Sequence, residues 1–230
     1  MALRSLDNFI ALFYPRSCHS CGEGLVSKEH CICTSCKIKL PFTFFSKEKE
    51  NKLTQFFWGR IPIEAGAALL FFQKGGKVQH LIHQFKYKGH QEIGRYLGLM
   101  LGAEIKESPF FQELDLVVPV PLHPAKMKSR GFNQSEVFGA GAAEALNIKM
   151  DAANLLRVIH TGTQTKKTRF KRWENVKTVF EIKKPEHLEN KNILLVDDVV
   201  TTGSTLEACA QKLLQVKGVK LWLGAMAITT

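Results

Sequence analysis

Apolar residues along the chain fall into two periods. The unbroken run at 193–196 predicts a strand buried in a parallel sheet, and mainly apolar stretches at 64–72, 116–121 and 221–228 also read as strands. Helical spacing appears at Val78, Leu81, Ile82 and Phe85, across roughly 91–106, and at Val137, Phe138, Ala142 and Leu146. Asn133 or Ser135 can cap the third of these helices. A fourth starts near Ser204, with Leu206, Ala210, Leu213 and Leu214 on one side. Shorter strands are expected at 155–158 and 177–182, and a short amphipathic helix on Leu3, Leu6, Phe9, Ile10 and Phe13. Strands that alternate with helices predict an α/β domain with a parallel sheet.

The chemistry concentrates at 193–205, ILLVDDVVTTGST. A buried strand runs into two carboxylates, Asp197 and Asp198, then a hydroxyl-rich turn, Thr201, Thr202, Gly203, Ser204 and Thr205, then a helix. The first backbone N–H groups of a helix lack intrahelical partners and sit at the positive end of its dipole. With a glycine and four hydroxyls they make a cradle for a phosphate monoester. The acids repel phosphate and suit vicinal hydroxyls or a metal shell. A ligand with a phosphate at one end and a diol beside it is a ribose 5-phosphate. The competing reading is an acidic strand end near a capped helix with no ligand. A phospho-acceptor or Mg²⁺ site on the acids alone leaves the turn unexplained.

Strand 116–121 carries Pro119 and Pro121, which lack an N–H and limit how far a central strand continues. A loop is expected at 122–130, with His123, Lys126, Lys128 and Arg130 at the sheet's carboxyl edge, where ligands bind in open α/β folds. The stretch FKYKG, 85–89, offers basic side chains for an anion site or a solvated helix end. At 161–175 five cations, Lys166, Lys167, Arg169, Lys171 and Arg172, stand beside Trp173 without apolar periodicity. A mobile basic loop is expected there. Cys209 falls on the apolar side of the last helix and reads as core.

Five of the six cysteines lie between 18 and 36. Two CxxC pairs, Cys18/Cys21 and Cys33/Cys36, are eleven residues apart, close to the spacing of a zinc ribbon with four thiolates around a structural Zn²⁺. Disulfides compete, but nothing else suggests secretion. Cys31 is surplus; it can replace Cys33 only by breaking a CxxC pair, and His19 and His30 are neighbouring alternatives. Residues 1–40 are therefore expected as helix plus ribbon, 41–60 as a linker and 61–230 as the α/β domain. The linker's aromatics, including Phe42, Phe56, Phe57 and Trp58, are expected to pack ribbon on domain, or to stack nucleobases.

The 45% apolar content is enough for a real core, and no run approaches the roughly 18 apolar residues of a membrane span. The first fifteen residues do not read as a signal peptide, so a cytoplasmic protein without membrane insertion is expected. Net charge is +11, which favours polyanions such as nucleic acid or phosphorylated metabolites; a merely solvated basic surface gives the same number.

VDDVVTTGST resembles the phosphoribosyl pyrophosphate (PRPP) signature of type I phosphoribosyltransferases. VPVPLHPAKMKSRGFNQSE, FKYKG and the four cysteines, in this order, narrow the resemblance to the ComF (ComF/GntX) family. The resemblance implies the type I phosphoribosyltransferase fold with an N-terminal four-cysteine zinc ribbon. It implies that Thr201–Thr205 hold the 5-phosphate and that Asp197 and Asp198 hold the ribose hydroxyls. Lys126, Lys128, Arg130 and Arg172 would meet pyrophosphate, and Mg²⁺ would arrive with PRPP. Stretch 161–175 would be the flexible lid, with Gln164, Arg172 and Asn175 at family positions; Thr163 and Thr165 stand where the family often has proline. The family's association with natural transformation implies a service to DNA uptake, with helicase or channel proteins as partners. The activity implied is PRPP-dependent ribosyl transfer to an acceptor that no residue here identifies. The alternative is a non-catalytic accessory that binds single-stranded DNA through ribbon and basic loops.

Overall fold

The computed structural model of the chain describes residues 16–158 and 179–229. The N-terminal helix on Leu3 to Phe13 and the basic stretch from Gln164 to Asn175, Arg172 included, lie outside the described residues.

Seven strands are present among the described residues: β1 (Ala65–Phe72), β2 (Leu116–Pro119), β3 (Lys149–Met150), β4 (Leu155–Arg157), β5 (Phe180–Ile182), β6 (Asn192–Val200) and β7 (Lys220–Thr229). Five make one sheet in the order β1-β7-β6-β2-β3, and every neighbouring pair is parallel. β4 and β5 pair antiparallel in a separate ribbon. The helices are α1 (Thr34–Ile38), α2 (Lys52–Gln55), α3 (Lys77–Tyr87), α4 (Gln91–Lys106), α5 (Pro124–Arg130), α6 (Gln134–Leu146) and α7 (Ser204–Leu213).

The sheet is covered on both faces, which is why its strands read as unbroken apolar runs. One core holds Val78, Leu81, Phe85, Leu97, Leu101 and Phe138 from α3, α4 and α6, together with the buried cysteines of the N-terminal module. The other holds Leu206, Cys209 and Leu213 of α7 with Leu53 and Phe57. α4 and α6 cross at glycines: a Cβ on Gly98 would lie 2.0 Å from the Phe138 carbonyl oxygen, and one on Gly141 2.1 Å from that of Arg95. Only bare backbone permits that approach.

Strand order places the site. β2 leads through α6 to β3 on one side, while β6 leads through α7 to β7 on the other. The connections diverge between neighbours β2 and β6, so their carboxyl ends open a crevice, the place where ligands enter open α/β sheets.

The structure departs from the sequence expectations in three places. Residues 124–130, expected as loop, form helix α5. The His123 ring nitrogen accepts from the Ala125 N–H at 3.1 Å, Pro124 takes the first position, and Gly131 ends the helix at φ 80. β6 runs through Asp197 and Asp198 rather than stopping before them, because its pairing with β7 continues to Val200. Segment 41–60, expected as linker, is bolted to the body. The Asn51 side chain caps α2 and donates to the Gly66 carbonyl of β1 at 2.8 Å, Arg60 pairs with Glu207 of α7, and Leu53 and Phe57 are wholly buried. Its polar run, 46–52, hides this attachment, which rests on scattered buried residues, a cap and an ion pair rather than on one apolar period.

Candidate functional site

Asp197 and Asp198 stand at the β2–β6 crevice, each held by a different element. Ser135, in the first turn of α6, donates its hydroxyl to Asp197 Oδ1 at 2.9 Å, and the Asp198 N–H donates to the same oxygen at 2.8 Å. Lys86, in the last turn of α3, pairs with Asp198 Oδ2 at 2.5 Å, with both side chains only 16% exposed. A shielded ion pair of this kind is screened less by salt than a surface one.

Removal from water, and the Asp198 charge beside it, push the Asp197 carboxyl up to about 7; the hydrogen bonds and Lys86 pull against this. The sign for stability follows. The folded chain keeps this proton to about 7, whereas the unfolded chain releases it near 3.8, so this group's contribution weakens as pH rises between those values and levels off above. Asn mimics the neutral acid and does not titrate. Asp197→Asn is therefore expected to match the wild type only below about pH 4, and its advantage should grow between pH 5 and pH 8 by on the order of 2 kcal/mol, read from urea unfolding at the two pH values.

Beyond the acids the chain turns into α7. Asp197, Val199 and Thr201 to Thr205 line a cleft of ≈ 210 Å³ open to solvent. Thr201, Thr202, Ser204 and Thr205 are exposed, Thr202 and Ser204 share a hydroxyl hydrogen bond at 2.9 Å, and the Gly203 backbone stands at φ 73. A Cβ on Gly203 would meet the Phe57 ring at 2.9 Å. Phe57 thus forms the floor under the turn, a role no sequence period announces.

The two motifs next to the crevice interlock. In FKYKG, Phe85 is buried and its ring packs on Phe132, 5.5 Å between centroids; Lys86 reaches Asp198; Tyr87 lies under the Arg130 guanidinium at 5.4 Å. In RGFNQ, Arg130 donates to the Gln134 side chain at 2.8 Å, and Asn133 caps α6 while donating to the Val120 carbonyl at 3.1 Å. Arg130 is therefore held between Gln134 and the Tyr87 ring. Lys126 and Lys128 lie exposed on the same short helix. The sequence offered Lys86 only as part of a candidate anion site, Ser135 only as a helix cap and Phe57 only as a linker aromatic, and placed none of them against the acids or the turn. For Lys86 a signal existed, a cation in the last turn of a helix packed on the sheet.

The cysteines make a second constellation. The Sγ atoms of Cys18, Cys21, Cys33 and Cys36 all lie within 4.8 Å of one another. Backbone N–H groups point at the sulfurs, from Cys33 to Cys18 at 3.3 Å and from Cys36 to Cys33 at 3.4 Å, as suits thiolates that carry charge. Three of the four are buried. Four thiolates with amide donors fit a tetrahedral Zn²⁺ with no open position. Cys31 is outside the set. Its thiol faces the Glu92 carbonyl at 3.9 Å, and burial, helped by the Glu92 and Cys18 charges, pushes it up to about 12. Cys209 is fully buried in the second core, as expected. Among the described residues no helix is long and apolar enough to cross a membrane.

Comparison with known proteins gives a consistent set of likenesses. The phosphoribosyl transferase domain matches residues 133–226. The DNA utilization protein YhgH of Salmonella typhimurium is 36% identical over 138 residues, 59% of this chain and 60% of the relative. Competence protein F of Haemophilus influenzae is 30% identical over 62% of this chain and 65% of its own length. Competence protein ComFC of Streptococcus pneumoniae is 26% identical over 85% of this chain and 86% of its own. The chain thus spans about three fifths of the YhgH and nearly two thirds of the Haemophilus protein. Among solved structures, the glutamine PRPP amidotransferase from B. subtilis is 19% identical, covering 63% of this chain and 30% of its own, with a TM-score of 0.44.

Proposed function

We propose that the chain is a ComF-type member of the phosphoribosyltransferase superfamily, that its β2–β6 crevice binds Mg²⁺–PRPP and that this binding serves DNA uptake; the matched domain and the competence and DNA utilization relatives support this. One observation carries the reading: an acidic pair, tethered by Ser135 and Lys86, opens directly onto a hydroxyl-rich turn at a helix start. Thr201 to Thr205 take the 5-phosphate through backbone N–H and hydroxyl donors. Asp197 and Asp198 accept from the ribose hydroxyls and face the positive charge that develops on the ring as pyrophosphate departs. Arg130, with Lys126 and Lys128 on the same helix, meets the pyrophosphate. Mg²⁺, a hard cation that keeps oxygen ligands, neutralises pyrophosphate charge when bound. Four thiolates, Cys18, Cys21, Cys33 and Cys36, hold Zn²⁺ as the structural centre of the N-terminal module.

The test is calorimetric titration of PRPP with Mg²⁺ into the purified chain. Saturable binding supports the reading, and its absence removes it. Within that experiment Lys86 has a defined part, since it holds the acid oxygens in place and neutralises one charge. Lys86→Met is expected to weaken PRPP binding about tenfold, in line with the ~1.5–3 kcal/mol of a hydrogen bond to a charged group. Lys86→Arg is expected to stay within about threefold, because it keeps the charge and the reach.

A second reading, single-stranded DNA binding, is favoured by one feature of the surface. Tyr87 is 62% and Phe44 51% exposed, each with a cation over its ring, and Trp58 is 58% exposed two residues from Arg60. Exposed rings beside cations are what base stacking along a backbone requires. A fluorescent oligonucleotide is expected to lose affinity steeply as salt rises; affinity indifferent to salt would exclude this reading.

A further inference from the structure

The seam between the cysteine module and α4 holds a cluster that neither the acidic site nor the four thiolates use. His19 follows Cys18 in the first CxxC turn; His90 and Glu92 flank the start of α4. His19 Nε2 lies 2.8 Å from Glu92 Oε1 and His90 Nδ1 3.1 Å from the same oxygen. The two imidazoles are 4.1 Å apart between centroids. All three donor atoms fall within 4.8 Å of one another.

We propose that His19, His90 and Glu92 form a second divalent-metal site, of the zinc class, that clips the cysteine module to the amino end of α4. The spacing suits this. An ion bound at about 2.0–2.2 Å sets neighbouring donors roughly 3–3.5 Å apart, and the two nitrogen–oxygen distances of 2.8 and 3.1 Å lie close to that range. The donor set selects the metal. Two imidazole nitrogens and one carboxylate suit first-row transition ions such as Zn²⁺, Co²⁺, Ni²⁺ or Fe²⁺, whereas Mg²⁺ and Ca²⁺ prefer oxygen alone.

Backbone contacts across the seam bring these donors together without the seam ion. The His19 N–H donates to the Cys31 carbonyl at 3.0 Å, and the Cys31 thiol turns toward the Glu92 carbonyl at 3.9 Å. The surplus cysteine thus belongs to the seam rather than to the tetrathiolate set. The His19 side chain is 17% exposed, His90 37% and Glu92 53%. Water can therefore complete the coordination on the Glu92 side, and the site exchanges metal readily, unlike the closed cluster of thiolates beside it.

The experiment uses the full chain, dialysed against EDTA and then titrated with Zn²⁺ by calorimetry. Thiolate-bound zinc is counted separately by mercurial release. One equivalent beyond the thiolate-bound metal is expected. His90→Ala and Glu92→Gln should each weaken it at least tenfold and leave the mercurial count unchanged. His90 makes no capping hydrogen bond, and Gln keeps the shape of Glu, so both variants are expected to fold. Co²⁺ in place of Zn²⁺ should add weak d–d bands without thiolate charge transfer, and added Zn²⁺ should raise the melting temperature of the wild type but not of Glu92→Gln. Absence of the extra equivalent in the wild type, its survival in both variants, or thiolate bands from the added cobalt would each overturn the proposal. A mercurial count of zero with the extra equivalent still bound would remove zinc from the four cysteines and leave the seam site standing.

Discussion

Asp197→Asn/Asp198→Asn is expected to abolish Mg²⁺–PRPP binding, with a loss of at least about a hundredfold by calorimetry. Two hydrogen bonds to charged acceptors contribute ~1.5–3 kcal/mol each, and both disappear together. The Lys86 ammonium then loses its counter-ion at 2.5 Å and adds a misplaced charge beside the diol. The single variant Asp197→Asn separates binding from stability. It keeps the Lys86–Asp198 pair and removes an acid that its surroundings hold up to about 7, so its melting temperature should hold or rise at neutral pH while affinity falls. That opposite movement of stability and binding is the mark of a functional carboxylate rather than of a structural one. Affinity within a few-fold of wild type would place the ribose elsewhere and remove the proposed pocket.

Cys33→Ser is expected to strip the thiolate-bound zinc, from one equivalent to none by mercurial release, and to unfold the N-terminal module. Cys31→Ser is expected to keep that zinc. The sequence left these two cysteines interchangeable in principle. The fold separates them: Cys33 lies within 4.8 Å of its three partners and caps α1 through its sulfur, whereas Cys31 turns into the seam with α4. A tetrathiolate site has no preformed counterpart in the unfolded chain, so its metal-binding free energy is folding free energy. The module's buried residues, Ile32 and Leu40 among them, join the core under α3 and α4. Loss of zinc should therefore also lower the melting temperature of the α/β domain. Retention of thiolate-bound zinc in Cys33→Ser, or its loss in Cys31→Ser, would reverse the assignment.

Some features of this protein were determined by sequence alone, each for a local reason. Unbroken apolar runs fix which segments are doubly covered strands, because burial on both faces leaves no polar alternation to keep. The order strand, acids, hydroxyl turn, helix is contiguous, so the Thr201–Thr205 turn beside Asp197 and Asp198 was legible before any fold. Paired CxxC spacing likewise marks the four thiolates, because each pair lies within one turn.

Other features depended on contacts across long separations, which no local pattern records. Lys86 meets Asp198 only because α3 packs on the face toward which that side chain points. Ser135 reaches Asp197 because β2 and β6 are neighbours, although 62 residues separate the two side chains. Phe57 lies beneath Gly203 because 41–60 folds back over β1 through Asn51, in a stretch whose polar composition reads as a tether. His19 and Glu92 meet across 73 residues. Sequence determined which groups carry chemistry; only tertiary packing decided which of them face one another, because hydrogen bonds and charge pairs act over a few ångströms in space whatever the distance along the chain.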